Sequence, residues 1–250
     1  MPADHRASLR SEFERAAAAF AERTVGRFDQ LAVVAFSRLR EGGTVLEVGA
    51  GTGNFLALFE DVAALLLAVD VTPGMLEQAR RRHPGLQLVL ADGARLPLKD
   101  GSVDLAASAQ ALHHMPDPLP VLRELGRVSK GRGRVLVVDQ VATEVPEEAA
   151  AMHELEVLRD PSHAATRPPS ELRRLLAAAG LRLLDERLAE QEQRLSGWMW
   201  PAEFPPERID AVRELIARRG GETGLGFREL GGGDYAFTRR RVMLLAEAPA

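Results

Sequence analysis

An apolar run ending in glycines at alternate positions, VLEVGAGTGNF (45–55), leaves few folds open to this chain. Val45, Leu46 and Val48 read as a buried strand, and Gly49, Gly51 and Gly53 follow at its end. Glycines between a strand and a helix let the backbone approach a ligand closely, with helix N–H groups pointing at it. A phosphate-cradling P-loop is excluded, because no Lys follows Gly53. The dinucleotide fingerprint requires glycine where Asn54 stands. Glu47, two residues before Gly49, would repel a pyrophosphate but suits a cationic ligand, such as a sulfonium bearing an α-ammonium group. The alternative is plainer: Glu47 ends a strand and the glycines make a tight turn.

The rest of the chain supplies the frame. Further apolar runs at 65–69, 86–91, 103–108 and 134–138 alternate with helical stretches, which predicts βαβ units and a mainly parallel sheet covered on both faces. Thr72-Pro73 and Asp117-Pro118 place a capping side chain before a proline, as at helix starts. Before the sheet, Leu9, Phe13, Ala16, Ala17 and Phe20 recur at helical spacing, and a second helix is predicted over 28–40. Beyond Asp139 the rhythm loosens. Residues 143–169 read as a helix and a loop, 170–179 as a short helix closed by Gly180, and 209–217 as another helix. Segments 181–188 and 235–246 read as two further strands. No linker divides the chain, so 1–250 is expected to form a single domain.

Two more carboxylates fall where a ligand edge should be. Asp70 ends the second strand, seventeen residues after Gly53, where it can accept hydrogen bonds from both ribose hydroxyls. Asp92-Gly93 ends the third, within reach of an exocyclic adenine amine. With Glu47 they occupy the C-terminal ends of successive strands, the edge at which open α/β sheets bind ligands.

On these residues, VLEVGAGTGNF, AVDVTPGML, LVLADGARLPLKDGSVDLAASAQALHHMPDP and GRVLVVDQ, the chain resembles the class I S-adenosylmethionine-dependent methyltransferases. It is similar to the small-molecule branch that includes ubiquinone and menaquinone biosynthesis enzymes. A later stretch, LRDPSHAATRPPSELRRLLAAAGL, resembles a segment of uncharacterised members of that branch. The resemblance implies a Rossmann-like, seven-stranded, mostly parallel sheet with one antiparallel strand and helices on both faces. It implies S-adenosylmethionine as cofactor, with Gly49, Ala50, Gly51 and Gly53 against its methionyl part and Asp70 on the ribose. Asp92 and Gly93 would contact the adenine, Val71 and Met75 would border its ring, and Ala109 and Gln110 would lie near the sulfonium. Phe20 stands where the family often has a Tyr, and the N-terminal helices (1–40) would lie over the cofactor.

Methyl transfer from a sulfonium is an in-line displacement, so the enzyme chiefly aligns donor and acceptor and excludes water. A hydroxyl or activated-carbon acceptor also needs a base, for which His is suited. His113 and His114 follow the fourth strand and are either base candidates or a structural pair. His163, in a loop that could cover the pocket, is a further candidate. Arg159 either holds an acidic substrate or pairs with Glu156 or Asp160. Trp198 and Trp200 either stack on a planar substrate or anchor the later segments, and Arg239-Arg240-Arg241 reads as a solvated strand edge rather than a phosphate site. Residues 143–169 and 196–219 are long for simple connections and hold His153, Arg159 and His163, so they are expected to cover an acceptor pocket; packing on the outer face of the sheet or a homodimer contact is the alternative.

Composition narrows the classes. A net charge of −4 argues against a general nucleic-acid binder, and Ser108-Ala109-Gln110-Ala111 lacks the Pro-Pro-aromatic grip of base-modifying methyltransferases. Zero cysteines exclude disulfides, thiolate metal sites and thiol-dependent arsenic methylation, and no metal site is expected. The charged amino terminus and the shortness of the longest apolar run, 62–69, predict a cytoplasmic protein without a membrane span. The reaction expected is O- or C-methylation of a quinol, phenol or natural-product-like small molecule. Its rivals are a nicotinamide oxidoreductase, disfavoured by the loop spacing, and a cofactor-binding scaffold that has lost catalysis.

Overall fold

The computed structural model describes residues 3–24, 26–199 and 205–250; Trp200 and Pro201 lie outside them. The chain opens with helix α1 (Ala3–Arg23) and a short α2 (Val33–Ser37), then enters the sheet through β1 (Gly43–Val48), β2 (Ala63–Asp70), α3 (Pro73–Arg82), β3 (Gln87–Leu90) and β4 (Val103–Ala109). It continues through α4 (Leu119–Val128), β5 (Ser129–Gln140), α5 (Pro146–Arg159), α6 (Pro169–Ala178) and β6 (Arg182–Arg194). The last elements are α7 (Leu195–Trp198), α8 (Pro206–Arg219), β7 (Arg228–Gly231) and β8 (Asp234–Glu247).

The strand order is β3-β2-β1-β4-β5-β8-β6, with β7 paired to β8 beside that path. β1 to β5 are parallel, and β8 inserts antiparallel between β5 and β6. The mostly parallel α/β sheet is therefore as expected, with the short β7 as an eighth strand. The order reverses between β1 and β4, and a crevice opens outside the carboxyl ends of strands at such a point.

Strand alternation sorts the core. Val45, Ala68, Leu105, Leu136 and Leu245 face one side, where they pack with Phe28, Phe36, Phe55, Phe59 and Leu76. Leu46, Val69, Ala106, Val135 and Leu244 face the other, against Leu122 and Leu125 of α4 and Leu172 and Leu176 of α6. Each fully buried Leu contributes about 1.5–3 kcal/mol. Beyond the sheet, α5, α7 and α8 pack together through Met152, Leu155, Trp198, Val212 and Ile216, joined by Phe237 of β8.

Three expectations about helices and their caps differ from the structure. The helix expected over 28–40 is broken into a single 3-10 turn, Asp29–Leu31, and α2, because Ala32 and Arg38 adopt left-handed backbone (φ 48° and 54°). The glycine loop leads into only a 3-10 turn, Leu56–Phe59, so a helix N-terminus does not contribute there. The Thr72 hydroxyl does not cap α3. Asp117 does bond ahead of α4, its Oδ1 accepting from the Leu119 amide at 3.0 Å.

Candidate active site

A cavity of about 210 Å³ opens outside the ends of β1, β2 and β4. Of the residues singled out from the sequence, it brings together Glu47, Gly49, Ala50, Gly51, Asp70 and Val71, then Met75, Asp92, Gly93, Ala109 and Gln110, with Phe20 entering from α1. Gly53 is not brought there. Its φ is +81°, and a Cβ on it would lie 2.6 Å from Leu86 Cδ1, so this glycine serves the packing of the loop against α3. Gly51 is the opposite case: at φ +53° a Cβ would meet no atom within 4 Å, which leaves its face open to the cavity.

Asp70 organises this loop. Its Oδ2 accepts from the Gly51 amide at 2.8 Å and its Oδ1 from the Thr72 amide at 2.8 Å. Burial raises its pKa, and these backbone bonds pull it back. Glu47 has less help. It is 1 % exposed, its Oε2 has no hydrogen-bond partner among the described residues, and burial followed by the nearby Asp70 charge raises its pKa well above the ordinary carboxylate range. A buried carboxylate in this condition is costly unless a cation meets it. At the third strand end, Asp92 Oδ1 accepts from the Ala94 amide at 3.0 Å and so shapes the turn.

A second cavity, of about 370 Å³, adjoins the first and shares with it Phe13, Phe20, Thr24, Arg27, Gln110 and His114. Gln110 stands at the junction with left-handed backbone (φ 52°), an uncommon conformation for a side chain of this kind. Its Oε1 accepts from Arg27 at 3.1 Å, and its Nε2 is buried without a partner among the described residues.

The histidines are placed at three depths. His114 lines both cavities. Its Nδ1 lies 3.1 Å from the Ser162 carbonyl oxygen, which can only accept, so Nδ1 carries a proton. His113 lines only the second cavity, and its Nδ1 donates to Asp139 Oδ1 at 2.6 Å. Burial holds the His113 imidazole well below its ordinary pKa and pushes Asp139 up to about 6. His163 lines neither cavity: it is buried behind His113, ring centroids 5.6 Å apart, with Nε2 at 2.9 Å from the Thr166 hydroxyl. Burial lowers its pKa to about 4.

The far wall of the second cavity was misjudged from the sequence. Arg239 and Arg241 are not a solvated edge: each is 5 % exposed, and both line the cavity. Only Arg240 faces away, pairing with Glu190 at 2.9 Å. The alternation was legible, but β8 is an interior strand. Arg159 pairs with Glu156 and Asp160 (3.3 and 3.8 Å) and also lies on the cavity wall, its guanidinium 4.8 Å from the Trp198 ring centroid. Trp198 packs edge-on against Phe237, as an anchor of the later segments would, and also reaches the wall. Among the described residues no group of three or more His, Asp or Glu side chains is arranged to hold a metal ion, and no helix is long and apolar enough to cross a membrane.

Comparison with known proteins identifies the family. A family model described as a methyltransferase domain matches residues 46–137. An uncharacterized methyltransferase of Bacillus subtilis, YcgJ, is 31 % identical over 169 residues, 66 % of this chain and 67 % of that protein. A demethylmenaquinone methyltransferase of Streptomyces griseus is 34 % identical over 108 residues, 43 % of this chain; the match spans less than half of that relative, 47 %. Among solved structures, a putative methyltransferase of Bacillus halodurans superposes with a TM-score of 0.83 at 23 % identity, over 89 % of this chain and 99 % of that one. The chain belongs to the S-adenosylmethionine-dependent methyltransferases, with S-adenosylmethionine as its cofactor. The residues present fit that molecule: the unpartnered Glu47 oxygen suits its ammonium group, and the open face at Gly51 admits close approach.

Proposed function

We propose that this enzyme methylates oxygen or carbon of a small-molecule acceptor held in the second cavity, with a quinol, phenol or related natural product as the class. The observation that carries the reading is the junction of the two cavities at Gln110 and His114, which gives donor and acceptor separate chambers with one shared wall. The similarity to a demethylmenaquinone methyltransferase supports a phenolic or quinol acceptor.

In this reading Glu47 meets the cofactor's ammonium, Asp70 accepts from its ribose, Asp92 and Gly93 flank its adenine, and Val71 and Met75 border the ring. When bound, the cofactor supplies an electrophilic methyl group on sulfur. The protein aligns the acceptor in line with it and keeps water out, with Phe13 and Phe20 of α1 over both chambers. His114, its ring oriented by the Nδ1 contact with the Ser162 carbonyl oxygen, takes the acceptor's proton. His113, held by Asp139, supports that imidazole, their ring centroids 4.2 Å apart. His163 braces the pair from behind. The loop after α5 and the end of α7 form the cover of the acceptor chamber, while α8 backs it.

The test separates binding from chemistry. With a panel of phenols, quinols and polyketide-like acceptors, His114→Ala should lower turnover by about 10²–10⁴-fold, the usual contribution of a general base. S-adenosylhomocysteine affinity should stay within about threefold, because the polar contacts proposed for it are made by Glu47, Asp70, Asp92 and Gly93 while His114 only borders its cavity. Turnover unchanged by the substitution would remove His114 from the mechanism. Cofactor binding without turnover of any acceptor in the panel would instead support the scaffold reading.

A further inference from the structure

The second cavity concentrates positive charge in a chain that is acidic overall. Of the four arginines on its wall, two are neutralised where they stand: Arg159 and Arg239 each lie 3.3 Å from Glu156, and Asp160 adds a second carboxylate beside Arg159. Against the cost of burial, Arg159 and Arg239 hold the Glu156 carboxyl down at about 2, so that pairing is complete at neutral pH.

Arg27 and Arg241 differ. Among the described residues, their hydrogen bonds go to neutral oxygens: Arg27 to Gln110 Oε1 at 3.1 Å, Arg241 to the Arg27 carbonyl at 3.3 Å and Gln191 Oε1 at 3.1 Å. Burial, and then the charge of Arg241, lower the Arg27 pKa to about 9. Asp139 attracts both guanidinium groups from a distance, but its oxygens accept from His113 and from the Gln140 amide. Around them, among the described residues, the donors Arg241 Nε, Gln110 Nε2 and Gln140 Nε2 are buried with no partner, as is the acceptor Gln140 Oε1. Glu12, also on this wall, is neutralised by Arg15. Two guanidinium groups against one spent carboxylate therefore leave a single positive charge in excess, and an uncompensated buried charge is costly.

The geometry points to an acceptor that carries one carboxylate, bound by Arg27 and Arg241, with its aromatic body against Phe13, Phe20 and Trp198. This deepens the proposed function and rests on its reading of the second cavity as the acceptor chamber. The excess of one charge matches a monoanion rather than a phosphate dianion, and a planar carboxylate fits the fork of a guanidinium group.

Calorimetric titration of 4-hydroxybenzoate and 4-hydroxybenzamide into protein saturated with S-adenosylhomocysteine tests this, because the two probes share ring and hydroxyl and differ in charge. The carboxylate should bind at least about tenfold tighter than the amide, as charge-assisted pairing requires. In Arg241→Gln the difference should fall below about threefold with S-adenosylhomocysteine affinity unchanged, since Arg241 lies outside the first cavity. The wild-type comparison decides on its own if that variant fails to fold. Equal or tighter binding of the amide, no carboxylate binding at millimolar concentration, or a clear preference for 4-hydroxyphenyl phosphate would each overturn the inference. Failure to bind S-adenosylhomocysteine would instead count against the assignment of the first cavity, and the same probe pair on the cofactor-free protein would still judge the carboxylate.

Discussion

Gly51 and Gly53 look alike in the sequence, both left-handed glycines of one loop, yet they face different neighbours. Gly51→Ala puts its methyl into open cavity, so it should weaken S-adenosylhomocysteine binding at a backbone cost of about 1–2 kcal/mol. Gly53→Ala drives a methyl toward Leu86, and should lower thermal stability more than Gly51→Ala while leaving the affinity of the folded protein nearly unchanged. Asp70→Ala removes the acceptor for Gly51 and Thr72 as well as for ribose, and should weaken binding by about 1.5–3 kcal/mol. Calorimetry and melting curves on the three variants check this; equal effects of the two glycine substitutions on binding would refute the division. Glu47, Gly51 and Asp70 were legible because strand-end spacing alone determines where they sit. Arg239 and Arg241 were not, because whether a strand is interior depends on pairings made across the whole chain.

At the scale of elements, β8 and most of the parallel strands were legible from apolar runs, whereas β5 and β6 run past theirs. The polar stretch of β6 after Leu188 pairs through Arg194 with β8, and Gln191 and Gln193 turn toward the second cavity. Polar residues ended the apolar alternation and so hid a strand whose far end lines a site. The broken helix after α1 was equally illegible, since Ala32 and Arg38 carry no turn signal. α1 itself places Leu9, Phe13 and Phe20 on the first cavity and pins its flank to α3 through Glu14, which accepts from the Gly74 amide at 3.0 Å. If α1 closes over a bound cofactor, trypsin cleavage at its arginines should slow several-fold when S-adenosylhomocysteine is present. Phe13→Ala should abolish most of that protection and cost about 1–3 kcal/mol of affinity, the value of a buried aromatic ring. Cleavage unaffected by ligand would mean α1 is no cover.

For the molecule as a whole, the sheet's reversal of order, the three strand-end carboxylates and the arginine wall divide one crevice into a chamber that suits a cation and a chamber that suits an anion. The central claim is the first of these. Glu47 is a carboxyl whose pKa in the folded protein is raised, so its contribution to stability is present at low pH and is lost as pH rises through that raised value. A ligand ammonium group reverses the trend by favouring the ionised form, so binding expels a proton and affinity increases with pH. Calorimetric titration of S-adenosylhomocysteine between about pH 5 and pH 7, with NAD as the control, measures this linkage, whose limit is about tenfold per pH unit. The account predicts binding that tightens with pH, a slope lost in Glu47→Gln, and no binding of NAD. NAD binding in place of S-adenosylhomocysteine, or an affinity indifferent to both pH and Glu47, would contradict it.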